Sequence, residues 1–263
     1  MPRASTPALS LRDVVKRFGA DAAVEGVTLD VAPGTFVSFV GPSGCGKSTL
    51  LNIIAGLTPP TGGRVEVFGE LLTGINRRAS YMFQQDALLP WKTVLGNIQF
   101  GLTIRGQRGR EAQENAQAWL ERVGLIGFGN HYPYQLSGGM RKRAAMAQCW
   151  IVHPDLILMD EPFSALDVHT RLRMASEILG LWTGSGQTVV FVTHDLEEAI
   201  ALSDHVWLLS AGPGARVVGR YPIDLTRPRN LIDIKTEPQF HQLYRDIWTD
   251  LRQEVLKSYE RSR

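Results

Sequence analysis

One nine-residue segment constrains the fold of this chain more than any other. Its residues are Gly41, Pro42, Ser43, Gly44, Cys45, Gly46, Lys47, Ser48 and Thr49. They fit the pattern G-x-x-x-x-G-K-[ST], in which backbone N–H groups at a helix start cradle a polyphosphate. The apolar run Phe36–Val40 predicts a buried strand before the segment, and Leu50–Leu57 predicts a helix after it. These flanks disfavour the alternative of a glycine-rich turn that binds nothing.

The pattern assigns chemistry to particular residues of this loop. We expect Lys47 to reach the β and γ phosphates and the hydroxyl of Ser48 to bind Mg²⁺. Glycines allow the backbone to approach the phosphates closely. We also expect Cys45, inside the loop, to make the protein sensitive to thiol-alkylating reagents, with the bound nucleotide protecting it.

Composition and charge exclude several classes of protein. The net charge of the 263-residue chain is only +2, which gives no electrostatic footprint for nucleic acid. No apolar run approaches the ~20 residues that cross a bilayer. The two cysteines, Cys45 and Cys149, show no metal-ligand spacing. A disulfide at Cys45 would obstruct the loop, so we expect a reducing, cytoplasmic compartment.

The order of apolar runs predicts an α/β fold with a mostly parallel sheet. Leu156–Met159 and Thr188–Val192 are continuous apolar runs, typical of central parallel strands, and helical patterns separate them. Ligands of such sheets bind beyond the carboxyl ends of the strands. Asp160, Glu161 and His194 follow these two runs, and they are therefore candidate site residues.

The acidic pair after the first of these runs suits hydrolysis of a phosphate ester. A carboxylate at a strand end, as at Asp160, can hold Mg²⁺ through water. Glu161 is expected to position and polarise the attacking water, since an ordinary glutamate is a weak base at neutral pH. Taken alone, the pair would more often be an ordinary loop acid, but the phosphate loop upstream favours the catalytic interpretation.

The motifs occur in the order found in one family. They are Gly41 to Thr49, Gln84, Leu136-Ser137-Gly138-Gly139-Met140, Leu156 to Pro162, Ser164-Ala165-Leu166-Asp167 and His194. This series resembles the ATPase subunit of ABC transporters over about residues 9–225, and Leu-Ser-Gly-Gly is its most specific element. The resemblance implies a phosphate-loop NTPase core with a mostly parallel sheet, an antiparallel β subdomain and an inserted α-helical subdomain.

We expect the chain to have four parts. Residues 1–88 would form the first part of the RecA-like core with the antiparallel β subdomain, and 89–154 the α-helical signature subdomain. Residues 155–226 would complete the core, and 227–263 would form a linker and a C-terminal helix. Thr236 and Gln239 have the spacing of a capping box for that helix. Its apolar face is expected to pack on its own domain, with docking of a partner as the alternative.

The resemblance also implies roles for individual residues. Phe18, in a predicted loop, looks like the aromatic residue that stacks on adenine; the alternative is an ordinary core phenylalanine. Gly41 to Thr49 would bind the triphosphate of ATP. Gln84 resembles the glutamine that touches Mg²⁺ and the attacking water. His194 resembles the histidine that holds the γ-phosphate and orients Glu161.

A second copy of the chain is implied as well. Ser137, Gly138 and Gly139 resemble the signature that contacts the γ-phosphate of ATP bound to the opposite subunit, and Asp167 resembles an aspartate at the dimer interface. A helix start with two glycines is an anion site, which agrees with this role. We therefore expect a homodimer that sandwiches ATP. An exposed apolar patch, Leu88–Trp91, is expected to contact integral-membrane permease subunits.

The type of transporter is indicated by other segments. The segment Asp160 to Asp167 is similar to the corresponding segment of importers. Residues 210–218 and 224–229 are similar to segments of the nitrate, sulfonate and taurine import subfamily. This implies a separate solute receptor, a permease, and a position at the cytoplasmic face of the inner membrane. The alternatives are an exporter subunit and an ABC ATPase acting on DNA or ribosomes. An ABC ATPase that acts on DNA or ribosomes usually carries two cassettes or a long coiled coil, which we do not find in this sequence. We therefore expect no nucleic-acid partner.

Overall fold

The apolar runs of the sequence form the strands. The computed structural model describes residues 6–261; residues 1–5 and 262–263, in the predicted first and last parts, lie outside the described range. The strands within this range are β1 (Leu9–Phe18), β2 (Asp21–Val31), β3 (Phe36–Val40), β4 (Gly62–Val67), β5 (Glu70–Leu71), β6 (Ala79–Met82), β7 (Leu156–Asp160), β8 (Thr188–Val192), β9 (His205–Leu209) and β10 (Val217–Pro222).

Helices separate most of these strands. They are α1 (Lys47–Ile54), α2 (Val94–Ile104), α3 (Arg110–Arg122), α4 (Gly138–Trp150), α5 (Val168–Trp182), α6 (Leu196–Leu202) and α7 (Pro238–Arg261). The chain divides into two compact units: the first comprises Met1–Arg77 and Ala175–Arg263, the second Arg78–Met174. This division is coarser than the four predicted parts, whose boundaries stay a prediction. No helix of the described range is long and apolar enough to cross a membrane.

The first unit contains two sheets. One is antiparallel, with the strand order β2-β1-β4-β5. In the other, β3 pairs in parallel with both β8 and β9, and β10 pairs antiparallel with β9. Every residue of β3 and β8 is buried, as their continuous apolar sequences predict. Phe36 of β3 lies with its ring centroid 5.5 Å from that of Trp182 and 5.9 Å from that of Phe191. This core fixes the strand from which the phosphate loop leaves.

The second unit pairs β6 in parallel with β7 and packs α2 against α3 and α4. Helix α3 buries one apolar face, formed by Ala112, Ala116, Trp119 and Leu120. Helix α4 begins after Ser137, whose Oγ accepts a hydrogen bond from the backbone N–H of Met140 at 3.3 Å, so Ser137 is the N-cap of this helix.

Two local predictions are wrong. Phe18 does not lie in a loop but is the last residue of β1, because β1 pairs with β2 as far as the Phe18–Asp21 turn. Thr236 and Gln239 do not form a capping box. The Thr236 hydroxyl donates to the carbonyl of Asp233, and the Gln239 amide donates to the carbonyl of Asp224, so both side chains are engaged outside the start of α7.

The start of the predicted linker, Arg227 to Arg229, is instead anchored. Arg229 is only 8% exposed, and its guanidinium donates to a group of backbone carbonyls: those of Ile200, Ala201, Ser203, Ile223 and Leu225. Burial lowers the pKa of Arg229 to about 10. Arg227 pairs with Asp204 at 2.7 Å and lies over the ring of Trp182. The two arginines therefore fix the chain that leads to α7.

Replacing Arg229 with Ala should lower the free energy of unfolding by about 3 kcal/mol, because several buried carbonyls lose their donor. Denaturant unfolding measures this change. The matched control is Arg216→Ala: Arg216 is exposed and lies 3.5 Å from Glu25, so its loss should cost less than about 0.5 kcal/mol. Equal stability of the two variants would contradict the anchoring role of Arg229.

Candidate nucleotide site

The phosphate loop joins β3 to α1 in the first unit. Gly46, the residue before α1, has φ +106°, and a Cβ placed there would lie 2.5 Å from the carbonyl oxygen of Ala23. Glycine is therefore required by both backbone conformation and space. The N-cap residue of α1 is Gly46, which has no side chain to cap the helix, so the positive end of the helix dipole can receive an anion.

Lys47 lies inside this loop and is nearly buried. Its Nζ donates to the carbonyls of Gly41 at 2.9 Å and Pro42 at 2.8 Å. Both acceptors are neutral, whereas a buried ammonium is stabilised best by a negative partner. The loop therefore fits a phosphate, which would supply that negative charge.

The Cys45 thiol is less accessible than the predicted sensitivity to alkylation requires. It is only 1% exposed, and burial raises its pKa although Lys47 acts in the opposite direction. The reactive species is the thiolate, so a buried thiol with a raised pKa reacts slowly. Cys149 is also buried, and burial raises its pKa to about 12. The expected sensitivity of Cys45 to alkylation is thus corrected: it should be low while the loop keeps this packing.

His194 follows β8 and is held by its neighbours. The Asp195 side chain accepts from the N–H groups of Glu197 and Glu198 and so caps α6, while the Thr193 hydroxyl donates to Glu198 at 2.7 Å. His194 lines a cavity of about 260 Å³ together with Gly41, Pro42 and Ser43 of the phosphate loop. The structure therefore brings these two predicted parts of the site together in the first unit.

Phe18 lies at the end of β1 and is 56% exposed. This exposure contradicts the alternative of an ordinary core phenylalanine. The Lys16 ammonium lies 5.0 Å from the centroid of the Phe18 ring. An exposed ring with a cation beside it can stack on a base, which is the role implied by the family resemblance.

The acidic pair lies at the end of β7 in the second unit. The hydroxyl of Tyr81 donates to Asp160 at 3.3 Å, and burial together with the Asp160 charge raises the pKa of Tyr81. Glu161 has φ +42°, a left-handed conformation that is uncommon for glutamate. Such strained residues cluster at functional sites, and the conformation turns Glu161 away from the course of the strand.

The signature residues form a cleft of the second unit. Ser137, Gly138 and Gly139 line a cavity of about 440 Å³ together with Asp167, and Arg143 and Arg173 add two positive side chains. Asp167 accepts from the N–H groups of His169 and Thr170, and its hydrogen bonds with Thr170 lower its pKa. The structure thus brings the signature and Asp167 together around a cleft that two arginines also line.

Gln84 is connected to the signature helix through residues that the sequence analysis missed. Its side-chain amide donates to the Ser164 hydroxyl at 3.4 Å. The buried ammonium of Lys142, on α4, donates to the carbonyl of Gln84 and pairs with Asp86 at 3.1 Å, and Arg141 pairs with the same carboxylate at 3.0 Å. The sequence indication was the run of three cations directly after the signature, Arg141 to Arg143, since cations on an ordinary helix are exposed.

The predicted apolar patch is smaller than expected. Leu88 is buried, whereas Trp91 is 71% exposed. Asn97, fully buried on α2, holds the turn: it accepts from the N–H of Leu89 at 2.7 Å and donates to the carbonyls of Leu89, Lys92 and Thr93. Trp91 is therefore presented on a rigid turn. Asn97 was missed because its pattern within an apolar helix gave no indication of these bonds.

The comparison with protein families decides the identity of this fold. The family model described as ABC transporter matches residues 24–164, which is more than half of the chain. The chain belongs to the ABC transporter family. The family resemblance, the fold class and the ATPase activity predicted from the motifs are confirmed.

Relatives of this ABC protein match along nearly the whole chain. The nitrate import ATP-binding protein of Synechocystis sp. is 40% identical over 245 residues, covering 92% of this chain and 92% of that protein. The taurine import ATP-binding protein of Jannaschia sp. is 38% identical over 266 residues, covering 97% and 98%. An ABC transporter ATP-binding protein of Methanocaldococcus jannaschii is 45% identical over 236 residues, covering 90% and 86%.

A solved structure agrees with the ABC fold. It is the ATP-binding cassette MJ0796, described as a dimeric post-hydrolysis state bound to ADP and Pi, with a TM-score of 0.72 and 33% identity. The alignment covers 83% of this chain and 100% of that chain. The ABC chain described here is thus an ATP-hydrolysing subunit of a type that dimerises.

Proposed function

We propose that this protein is the ATPase subunit of an importer and that it couples ATP hydrolysis to the uptake of a small anionic or polar solute. The observation that carries the proposal is that relatives matching 92%, 97% and 86% of this chain are named nitrate, taurine and aliphatic sulfonate import proteins, respectively. The solute does not touch an ATPase subunit, so these relatives limit its class without selecting one compound.

The roles proposed for the first unit concern nucleotide binding. Phe18 stacks on adenine, and the loop from Gly41 to Thr49, with the ammonium of Lys47, binds the phosphates. His194 holds the γ-phosphate. The neutral partners of Lys47 and the uncapped start of α1 support this assignment, because both favour an anion.

The roles proposed for the second unit concern hydrolysis and completion of the site. Glu161 orients the attacking water, and Gln84 contacts it. The oxygen donors of Gln84 and Asp160, like the Ser48 hydroxyl of the first unit, are hard ligands of the kind that Mg²⁺ prefers, and the ion would neutralise charge on the phosphates. Ser137 to Gly139 complete the site of a second copy, and Asp167 contacts that copy. The basic lining of the signature cleft supports the contact with phosphate.

The proposed partners are two integral-membrane permease subunits and, indirectly, a solute receptor. The protein would bind peripherally to the permease at the cytoplasmic face of the inner membrane. Trp91 supports this arrangement, since a rigidly held, exposed indole is typical of an interface anchor. An exporter subunit is the second candidate, and nothing in the charge of the chain supports action on nucleic acid.

The experiment that tests the importer function is reconstitution. The tagged protein is purified from its native membrane with its associated subunits and placed in lipid vesicles with ATP on the side of the ATPase. We expect permease subunits to co-purify, and nitrate, taurine or an alkanesulfonate to be carried toward the ATP side when the receptor is added. Transport away from the ATP side would indicate an exporter, and co-purified ribosomes or DNA would reject transport.

Trp91→Ala should weaken the association with the permease by about 2 kcal/mol or more, as truncation of a buried aromatic anchor does. Co-purification of the permease and transport-coupled ATPase activity measure the effect. The matched control is Ile104→Ala, which removes another strongly exposed apolar side chain from the same unit. If the two variants retain equal amounts of permease, Trp91 is not the anchor.

A further inference from the structure

The last helix of the chain forms a wall of the nucleotide site. The cavity lined by Gly41, Pro42, Ser43 and His194 is closed on another side by residues of α7: Trp248, Leu251, Val255, Ser258 and Tyr259. All of these residues belong to the first unit. No part in ATP binding was predicted for α7, so the position of this helix beside the phosphate loop needs a separate explanation.

Glu254 anchors α7 at this position. Its Oε2 accepts a hydrogen bond of 2.8 Å from the backbone N–H of Ala211, and its Oε1 pairs with Lys257. Glu254 is only 6% exposed and Ala211 only 2%. Glutamate is rarely buried unless it is paired, because removing its charge from water is costly. A carboxylate kept in this place therefore has a specific partner, the turn that begins at Ala211.

The turn after β9 carries this contact to the phosphate loop. A Cβ placed on Gly212 would lie 3.4 Å from Cys45 Cα and 3.4 Å from the carbonyl oxygen of Gly44, so the two backbones are close. Farther along the turn, the Ala215 N–H donates to the carbonyl of Ala23, and that same oxygen lies against Gly46. Residues 211–215 thus run beside the loop from Gly44 to Gly46.

The electrostatics of Cys45 agree with this proximity. Burial is the main reason why the pKa of the Cys45 thiol is raised, and the charge of Glu254 raises it further. Cys45 is therefore a reporter of the packing between the loop, the 211–215 turn and α7. If this packing loosens, the thiol becomes more exposed and its alkylation becomes faster.

We propose that Glu254 is a positioning residue for ATP binding: from α7 it holds the 211–215 turn against the phosphate loop and keeps the loop in the shape that receives the phosphates. This inference rests on ATP binding by the ABC site and not on transport. Failure of the importer proposal would therefore leave it intact, and its own failure would not affect that proposal.

The test compares Glu254→Ala with Glu254→Gln in a Cys149→Ser background, which leaves Cys45 as the single thiol. The Gln variant keeps an oxygen that can accept from Ala211, whereas the Ala variant does not. For Glu254→Ala we expect the Kd and KM for ATP to rise by about threefold to about tenfold, with kcat little changed, as the loss of one buried hydrogen bond allows. Alkylation of Cys45 by N-ethylmaleimide should accelerate, and Glu254→Gln should restore both quantities to within about twofold of the parent.

A second α7 variant separates positioning from simple stability. Asp250 accepts a hydrogen bond from Tyr221 of β10, so Asp250→Ala removes a different anchor of the same helix. We expect it to lower Tm without changing the Kd for ATP or the Cys45 rate. The proposal is overturned if Asp250→Ala reproduces every effect of Glu254→Ala. It is overturned equally if Glu254→Ala lowers Tm alone.

If Glu254→Ala does not fold, Gly212→Val probes the same contact from the other side. Its extra carbons would push on Cys45 and Gly44 while Glu254 remains in place. Weaker ATP binding and faster Cys45 alkylation are then expected. A folded Gly212→Val protein with the parent's ATP affinity and thiol reactivity would refute the coupling between the turn and the loop.

Discussion

Glu161→Gln is expected to lower ATP turnover by a factor of about 10²–10⁴, the usual contribution of a positioned base. The carboxamide keeps the size and shape of the side chain but lacks the negative charge that polarises water. The backbone of Glu161 is in the left-handed region at φ +42°, and glutamine meets the same strain, so the substitution changes charge without changing the backbone demand. ATP binding should stay at its wild-type level, because the phosphate loop is unaltered.

Single-turnover hydrolysis in the assembled complex measures this effect. Equilibrium binding of ATP shows whether the substitution affects hydrolysis without affecting nucleotide affinity. The matched control is Glu121→Gln, which makes the same chemical change on the exposed surface of α3. The hydrogen bond described for the Glu121 side chain is the one that it accepts from Gln117 on the same helix. Hydrolysis by Glu121→Gln should equal that of the wild type. Wild-type hydrolysis by Glu161→Gln would remove Glu161 from the mechanism.

The sequence predicted best those parts of the fold that depend on continuous burial. β3 and β8 are apolar at almost every position, and both strands have the predicted bounds, Phe36–Val40 and Thr188–Val192. A parallel strand buried on both faces can have few other sequences. The phosphate loop could also be predicted, for a different reason: its backbone conformation requires glycine at Gly46, so the pattern has few alternatives.

Polar residues with distant partners were predicted poorly. Arg229 looks like part of a linker because it lies beside Pro228 in a polar stretch, yet its partners are carbonyls up to 29 positions away in the sequence. Lys142 looks like a surface cation, but its ammonium is buried against the carbonyl of Gln84, 58 positions away. Such bonds depend on where the folded backbone places unpaired carbonyls, and no local pattern encodes that position.

The candidate site shows the same contrast. Its motif residues could be found because glycines, a lysine and paired acids at fixed spacing have a direct chemical meaning. The wall formed by α7 could not be found, because Glu254 lies 43 positions from Ala211 and sits in an ordinary amphipathic helix. Phe18 was predicted in the wrong element, since the β1–β2 pairing extends through it, and its role in stacking on adenine stays a prediction.

Ser137→Arg should fold and bind ATP but fail to form the ATP-dependent dimer. The arginine side chain would fill the signature cleft, where Arg143 and Arg173 already lie, and would exclude the phosphates of the second copy. Loss of the Ser137 cap on α4 should cost only about 1 kcal/mol. Ser137→Ala removes the cap and the hydroxyl but leaves the cleft open, and it is the matched control; because the backbone N–H groups of Gly138 and Gly139 remain, it should still form dimers. Sizing chromatography with ATP, in the Glu161→Gln background, measures dimer formation.

A mixing experiment tests whether the signature acts on the opposite copy. Lys47→Ala removes the ammonium of the phosphate loop but leaves its own signature intact, whereas Ser137→Arg has the reverse defect. Each variant alone should remain monomeric with ATP. In a mixture, the intact loop of Ser137→Arg can meet the intact signature of Lys47→Ala, so one complete site forms and heterodimers should appear. A site assembled from two copies has to be rescued when the copies carry complementary defects. If the mixture stays monomeric while Ser137→Ala dimerises, the two motifs therefore do not complete each other across copies.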